Sequence, residues 1–269
     1  MLGLELRRLR EARDISAADA AKSIRATPSK ISRMELGRSA IKEIDVVDLL
    51  TLYGVDPEER QAILRLAEQA SQPGFWHRYG DILPPWFKMY VGLEESAKSI
   101  RTYEPLFVPG LLQTPQYAAA VLALDYIPPG EADRLVLLRK ERQRRFTDGE
   151  LRLWAIIDEA ALRQTIGSVD VMRDQLEHLF SLSTNQNLTL QVTPLAAGSH
   201  AAPSAFSILR FNEPEIADVV YVEQLTGALY IDKKDDVDRY LLAMERLSTI
   251  SSKPPRTREI LRALIDRLA

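Results

Sequence analysis

Ser29, Lys30, Ser32 and Arg33 stand within five consecutive residues of the stretch ATPSKISRMELGRS, residues 26–39. Hydroxyl, ammonium and guanidinium groups at that spacing offer hydrogen bonds rather than covalent chemistry. The stretch reads as a short helix that opens with Thr27 as cap and Pro28 in the first turn, and closes at Gly37. Its good core residues are Ile31 and Met34, so the helix is anchored on one side and bare on the other. A bare side of that composition suits a groove roughly 12 Å wide, lined with the donors and acceptors of base edges. The solvated face of an ordinary bundle helix carries the same residue types, so spacing alone leaves both readings open.

Other residues with chemical potential are scattered. His77, His178 and His200 are isolated, with no carboxylate or histidine spacing that would suggest a zinc site, and the chain has no cysteine. Asp158-Glu159 and Glu94-Glu95 are adjacent pairs, and neighbours on a helix point about 100° apart, so neither pair converges as an acid and base. Asp158-Glu159 reads instead as the start of a helix, where acid suits the dipole. Phosphate-cradling glycine loops and serine nucleophile elbows are absent from the sequence. No enzyme, metal or cofactor is expected. Trp76, Tyr79, Trp86, Tyr90 and Tyr103 bunch in sequence and could line a pocket for a planar effector. The favoured reading of the same residues is a satellite core that joins helices to a sheet. The basic run Arg139, Lys140, Arg142, Arg144 and Arg145 reads as a solvated helix face or as an extension of a phosphate-binding surface.

Charge is unevenly distributed along the chain, so its average misleads. The net charge is −3 over 269 residues, yet residues 1–42 carry +5 and residues 43–70 carry −5. A segment polarised in that way can present a positive face to phosphates. Hydrophobic residues make up 46% and charged residues 27%, which is enough apolar material for a core, and no apolar run reaches the length of a membrane span. The cytoplasm is the expected location.

Five helices can be read in the first 70 residues. The first carries Leu2, Leu4, Leu6 and Leu9, and the second starts at Ser16 with Asp19 three residues on, a weaker capping box. The third is the donor-bearing helix, and the fourth is expected to bury Ile44, Val47 and Leu50, with Leu49 a further candidate. The fifth opens with Asp56-Pro57. The second and third lie one short turn apart, which is a helix-turn-helix pattern. A domain of residues 1–72 is therefore expected, followed by one of residues 73–269. Within the latter, 75–147 reads as helical and 150–269 as sheet with helices. Strands are expected near 151–158, 187–195, 204–211, 218–224 and 228–232, with a hairpin turn at Thr226-Gly227. The fold class is α+β: an all-α five-helix segment, then a larger α+β domain with a mostly antiparallel sheet.

Residues 2–65 resemble the XRE-type, repressor-like helix-turn-helix family through LRRLREARDIS, PSKISRMELGRS and DVVDLLTLYGV. The resemblance implies that Thr27, Ser29, Lys30 and Arg33 face DNA, that Arg38 reaches a phosphate, and that Glu35 pairs structurally with Arg10. Three positions depart from the family pattern: Ala17 replaces the usual glutamine, Ala20 a large aliphatic and Arg25 the turn glycine. The last implies a bulky residue at positive φ. Residues beyond the first domain resemble the antitoxin-like C-terminal domain of actinobacterial regulators, whose biochemical function is unassigned. The matching stretches include FVPGLLQTPQYAAAVL, LWAIIDEAALRQTIG and VVYVEQLTGALYID. Such proteins are often encoded beside a small partner protein. The resemblance implies a DNA-binding transcription regulator acting as a homodimer on a double-stranded operator, with a small-molecule effector or small protein partner. The alternative is an antitoxin-like protein whose C-terminal domain chiefly binds that partner, with DNA binding for autoregulation.

Overall fold

The structure is a computed structural model that describes residues 2–35, 39, 41–71, 74–125, 127–128, 130–197, 202, 204–212 and 216–268. Five helices come first: α1 (Leu2–Glu11), α2 (Ala17–Ser23), α3 (Pro28–Glu35), α4 (Glu43–Leu52) and α5 (Pro57–Ser71). Local chemistry sets their starts. The Asp19 amide donates to Ser16 Oγ at 3.1 Å, and that hydroxyl donates in turn to the Asp19 carboxylate at 2.7 Å. Asp56 Oδ1 accepts from the amides of Glu58 and Glu59, both at 3.0 Å. Leu6, Leu9, Ile31, Met34, Leu49, Leu50 and Ile63 are buried together between the helices.

Helix α4 departs from expectation. Ile44 is 67% exposed and Val47 half-buried, while Val46, Leu49, Leu50 and Tyr53 turn inward. The expected set steps by three residues and drifts around a helix of 3.6 residues per turn, whereas 46, 49, 50 and 53 hold one face. The expected domain boundary falls on residues 72–73, outside the described residues, as does Gly37 at the expected close of α3.

After a 3-10 turn at Phe75–Tyr79 come α6 (Pro85–Ser96), β1 (Ser99–Glu104), α7 (Pro115–Leu122), α8 (Glu131–Arg142) and α9 (Arg144–Thr147). Then follow β2 (Arg152–Asp158), α10 (Glu159–Arg163), α11 (Val169–Leu182), β3 (Leu188–Thr193), β4 (Phe206–Arg210), β5 (Val219–Gln224), β6 (Gly227–Ile231), α12 (Lys234–Ile250) and α13 (Pro254–Asp266). The strands form one six-stranded mixed sheet in the order β3-β2-β1-β4-β5-β6. Strands β1, β2 and β3 run parallel, and β4, β5 and β6 continue antiparallel from β1.

Strand β1 corrects the expectation that 75–147 is helical throughout. It is a central strand, paired with β2 on one side and β4 on the other. Its sequence SIRTYE is largely polar or charged and carries little strand signal alone. Two ladders hold it extended. The helix that starts at Asp158-Glu159 is short: α10 and α11 are separate, with Gly167 between them at φ +71°, where a Cβ would sit 2.9 Å from that of Ala120. The β5–β6 turn residues are Leu225 and Thr226, with Gly227 already in the strand.

Alternation along the strands sends two sets of side chains to opposite faces. One face, with Ile100, Leu153, Leu190, Leu209 and Tyr221, packs under helices that include α6, α7, α11 and α13 in a core continuous with that of the first five helices. The other, with Tyr103, Ile156, Phe206, Ile208 and Val220, packs on Val237, Met244 and Leu247 of α12. Helix α1 touches the sheet domain directly, since Glu5 Oε1 accepts from the Ala217 amide at 3.2 Å.

Candidate nucleic-acid interface

Helix α3 is held from beneath and left open above. The Lys30 amide donates to Thr27 Oγ1 at 3.3 Å, which caps the first turn. Ile31 and Met34 are each 1% exposed and fix the inner face. On the outer face Thr27, Ser29, Ser32 and Arg33 are all exposed, and the Arg33 guanidinium bonds to no described residue. Two tight features lock the helix onto its neighbours. Arg10 grips Glu35 with Nε to Oε1 at 2.6 Å and Nη2 to Oε2 at 3.0 Å, while its Nη1 donates to the Ile15 carbonyl at 2.9 Å. One guanidinium thus ties α1, the turn before α2 and the end of α3 together, and the carboxylate beside it raises the Arg10 pKa further. Gly3 lets the backbones meet: a Cβ there would lie 2.3 Å from the Met34 carbonyl oxygen. The sequence signal for Gly3 is faint, a single glycine inside an otherwise leucine-striped helix.

Lys30 lies elsewhere than expected. Its Nζ reaches the Asp45 carboxylate of α4 at 2.7 Å, so its charge is matched inside the protein. Asp45 is buried, and the pair pins α4 to the flank of α3. Arg38 lies outside the described residues. Arg25 takes φ 52°, as its place in the turn implied. Ala17 lines an open notch of about 300 Å³ together with Arg7, Arg10, Glu11, Ser32 and Glu35.

The five aromatics of the expected effector pocket do not converge. Tyr103 is fully buried on the α12 face of the sheet, where its hydroxyl donates to Asp158 at 2.8 Å. Tyr90 is buried on the opposite face against Tyr221, ring centroids 4.2 Å apart. Tyr79 packs with Leu83 and Leu138 and donates to Glu141 at 3.1 Å. Trp76 sits at the edge of that small cluster, edge-on to Phe75 at 5.6 Å. Trp86 is half-buried and contributes its carbonyl to the Tyr230 hydroxyl. None of the five lines either the α3 notch or a cleft of about 370 Å³ between α10 and α13. Trp76, Tyr79, Tyr90 and Tyr103 are packing residues, because alternate strand residues and separate helices carry them to different layers.

The basic run resolves differently for each member. Arg142 is buried and bidentate to Glu94, at 2.7 and 2.9 Å, with its guanidinium over the rings of Phe87 and Tyr90. Burial and the Arg142 charge bring Arg139 down to about 10, and it donates to Gln113. Arg145 donates to the Glu94 carbonyl at 3.0 Å, and Lys140 and Arg144 are exposed. Arg142 of α8 and Arg145 of α9 are thus held by α6, Arg139 is held by Gln113 before α7, and Lys140 and Arg144 face solvent. Asp158-Glu159 does begin a helix, α10.

A five-helix head whose third helix is rigidly held and bare outward is a helix-turn-helix unit, and the described residues contain no helix long and apolar enough to cross a membrane. Residues 1–63 match the family described as helix-turn-helix domain. Residues 87–263 match a domain of unknown function, DUF5753, and since that match spans most of the chain, the protein belongs to the DUF5753 family. No curated protein and no solved structure gives a significant match to the chain.

Proposed function

We propose that the protein is a sequence-specific transcription regulator of the XRE type that binds DNA as a homodimer, acts in the cytoplasm and catalyses no reaction. One observation carries this reading: α3 turns Thr27, Ser29, Ser32 and Arg33 outward with the Arg33 guanidinium uncommitted to the described residues, while Arg10–Glu35 fixes the helix axis. A base-reading helix needs both properties, because hydrogen-bond readout loses discrimination when the reader can tilt. Arg33 reads a base edge, Thr27, Ser29 and Ser32 meet bases or phosphates, Arg38 reaches a phosphate, and Lys30 positions α3 through Asp45.

The aromatic residues bear on what the C-terminal region senses. The rings of Trp76, Tyr79, Tyr90 and Tyr103 are committed to three separate packing sites, which supports a protein partner, in the antitoxin-like manner of actinobacterial relatives, over a planar small-molecule effector. The test is selection of bound duplexes from a random pool, followed by fluorescence anisotropy with wild type and Arg33→Ala. The expected result is an enriched motif with affinity lowered in the variant by about 1–3 kcal/mol. Equal affinity for every duplex at modest salt overturns the reading.

A further inference from the structure

The sheet has two outer edges, and they are finished in opposite ways. At β3 the edge is sealed by the α12–α13 connection. The Ser252 amide donates to the Val192 carbonyl at 2.8 Å, the Val192 amide donates to Ser252 Oγ at 3.0 Å, and Gln191 Nε2 reaches the Ser252 carbonyl at 3.1 Å. At β6 no described residue takes up the outward backbone groups. Their identity follows from the hairpin. A two-residue loop closes on Gln224 and Gly227 as a mutually bonded pair, and antiparallel pairs alternate, so Val222·Leu229 and Val220·Ile231 are bonded inward. The amide and carbonyl of Ala228 and of Tyr230 therefore point away from the sheet.

Proteins usually blunt such an edge with lysine, proline, a bulge or a covering element. Strand β6 reads Gly-Ala-Leu-Tyr-Ile, has no charge or proline, and leaves Leu229 51% exposed, with Leu225 at the hairpin tip 93% exposed. We infer that the outer edge of β6 is where two copies of the chain join, antiparallel, about a two-fold axis through Leu229.

That register gives every free group one partner: Ala228 faces Tyr230 of the second copy, and Tyr230 faces its Ala228. Two bonds at each of the two symmetric pairs close the joint, and Leu229 meets its own counterpart in the close, non-bonded position where side chains touch. An isologous joint of this kind is closed, so no free edge remains to propagate a fibre. The strand also runs toward the DNA-reading head, since its last residue Ile231 pairs with Val220 at the start of β5, and the Ala217 amide just before β5 donates to Glu5 of α1. The strand rise from the axis out to Asp232 on each side sets the two Asp232 positions about 20 Å apart. The two heads therefore fall on opposite sides of the axis, as two half-sites require. The choice of a second copy as occupant rests on the DNA-reading proposal, which calls for two heads.

Sedimentation equilibrium of the full chain without DNA tests the joint, with Leu229→Lys, which sets like charges at the axis, and Ala228→Pro, which deletes an outward donor that β5 does not use. Wild type should sediment at twice the chain mass at tens of micromolar, and each variant should raise the dimer dissociation constant at least tenfold with its circular dichroism unchanged. Amide exchange supplies a readout independent of mutation: protection at Ala228 and Tyr230 should fall on dilution while protection at Leu229 persists. A monomeric wild type, a dimer indifferent to both substitutions, or protection at Ala228 and Tyr230 that ignores dilution overturns the inference. A monomer that still binds a single half-site duplex removes this joint and leaves the DNA reading intact. A β6-dependent dimer without sequence preference supports the joint and removes the DNA reading.

Discussion

Arg33 on α3 and Arg142 on α8 carry the same guanidinium in opposite surroundings. Arg142 is 7% exposed, clamped to Glu94 by two hydrogen bonds and stacked on two aromatic rings. Arg33 is exposed and bonded to no described residue. In the sequence, the run around Arg142 is the more basic of the two, so charge density alone would nominate α8 as the phosphate-binding surface. The structure separates charge already engaged in holding a domain together from charge still available to a partner. Ion pairing inside the fold, rather than the count of basic residues, decides which helix can face DNA.

Substitution of the two arginines sets the largest contrast. Arg142→Met leaves the buried Glu94 carboxylate without its partner and should cost about 3–5 kcal/mol of stability, read by chemical denaturation. Arg33→Ala touches nothing inside and should change stability by less than about 0.5 kcal/mol, with its effect confined to DNA affinity. A stable Arg142→Met protein with impaired DNA binding would reverse the two assignments.

Titration draws the same line between head and sheet domain. Burial, with the charge of Glu223 adding to it, pushes Glu104 at the end of β1 up to about 8 from 4.5. Because the folded state holds the proton more tightly, this group's contribution to stability is complete below about pH 4.5 and is lost as pH rises toward 8. Glu104→Gln should therefore stabilise the protein at pH 8 by roughly 2 kcal/mol, less than the full displacement implies because Glu104 as a residue is half-buried. At pH 4.5 the gain should vanish. The outer face of α3 offers hydroxyls and a guanidinium and carries no carboxylate or imidazole. Sequence preference should hold across the range in which the C-terminal region loses stability, and a motif that changes with pH would count against this division.

Parts of this arrangement are legible in the sequence. The Ser16, Thr27 and Asp56 caps act within three residues, so their chemistry is written locally, and the five-helix head follows from them. The Arg10–Glu35 pair comes through family resemblance, since its partners lie 25 residues apart. Three features are not legible. Strand β1 is polar, and two neighbours contributed by distant parts of the chain make it a strand. With β1 unread, Tyr103 cannot be placed on the face opposite Tyr90, and one apparent aromatic cluster hides three packing sites. The Glu94–Arg142 pair spans 48 residues and needs the α6–α8 packing that the sheet creates.

Lys30 gives the smallest effect and the finest test of the division between engaged and available charge. On a helix diagram it sits beside Ser29 and Arg33, and the family pattern turns it toward DNA. The structure turns it to Asp45 at 2.7 Å, with the ammonium partly open to solvent. A pair in that setting is worth at most about 1 kcal/mol, so Lys30→Met should lower stability by that much or less. In an Asp45→Asn background the same substitution should be close to neutral, because the pair is already gone. Salt dependence of DNA binding supplies the decisive measurement. Removing a cation that neutralises a phosphate lowers the slope of log affinity against log salt by about 1. Since Lys30 is already neutralised by Asp45, Lys30→Met should leave that slope unchanged while Arg33→Ala shifts affinity. A reduced slope in the Lys30 variant would mean that DNA competes successfully with Asp45, and that α4 gives up its hold on α3 when the helix enters the groove.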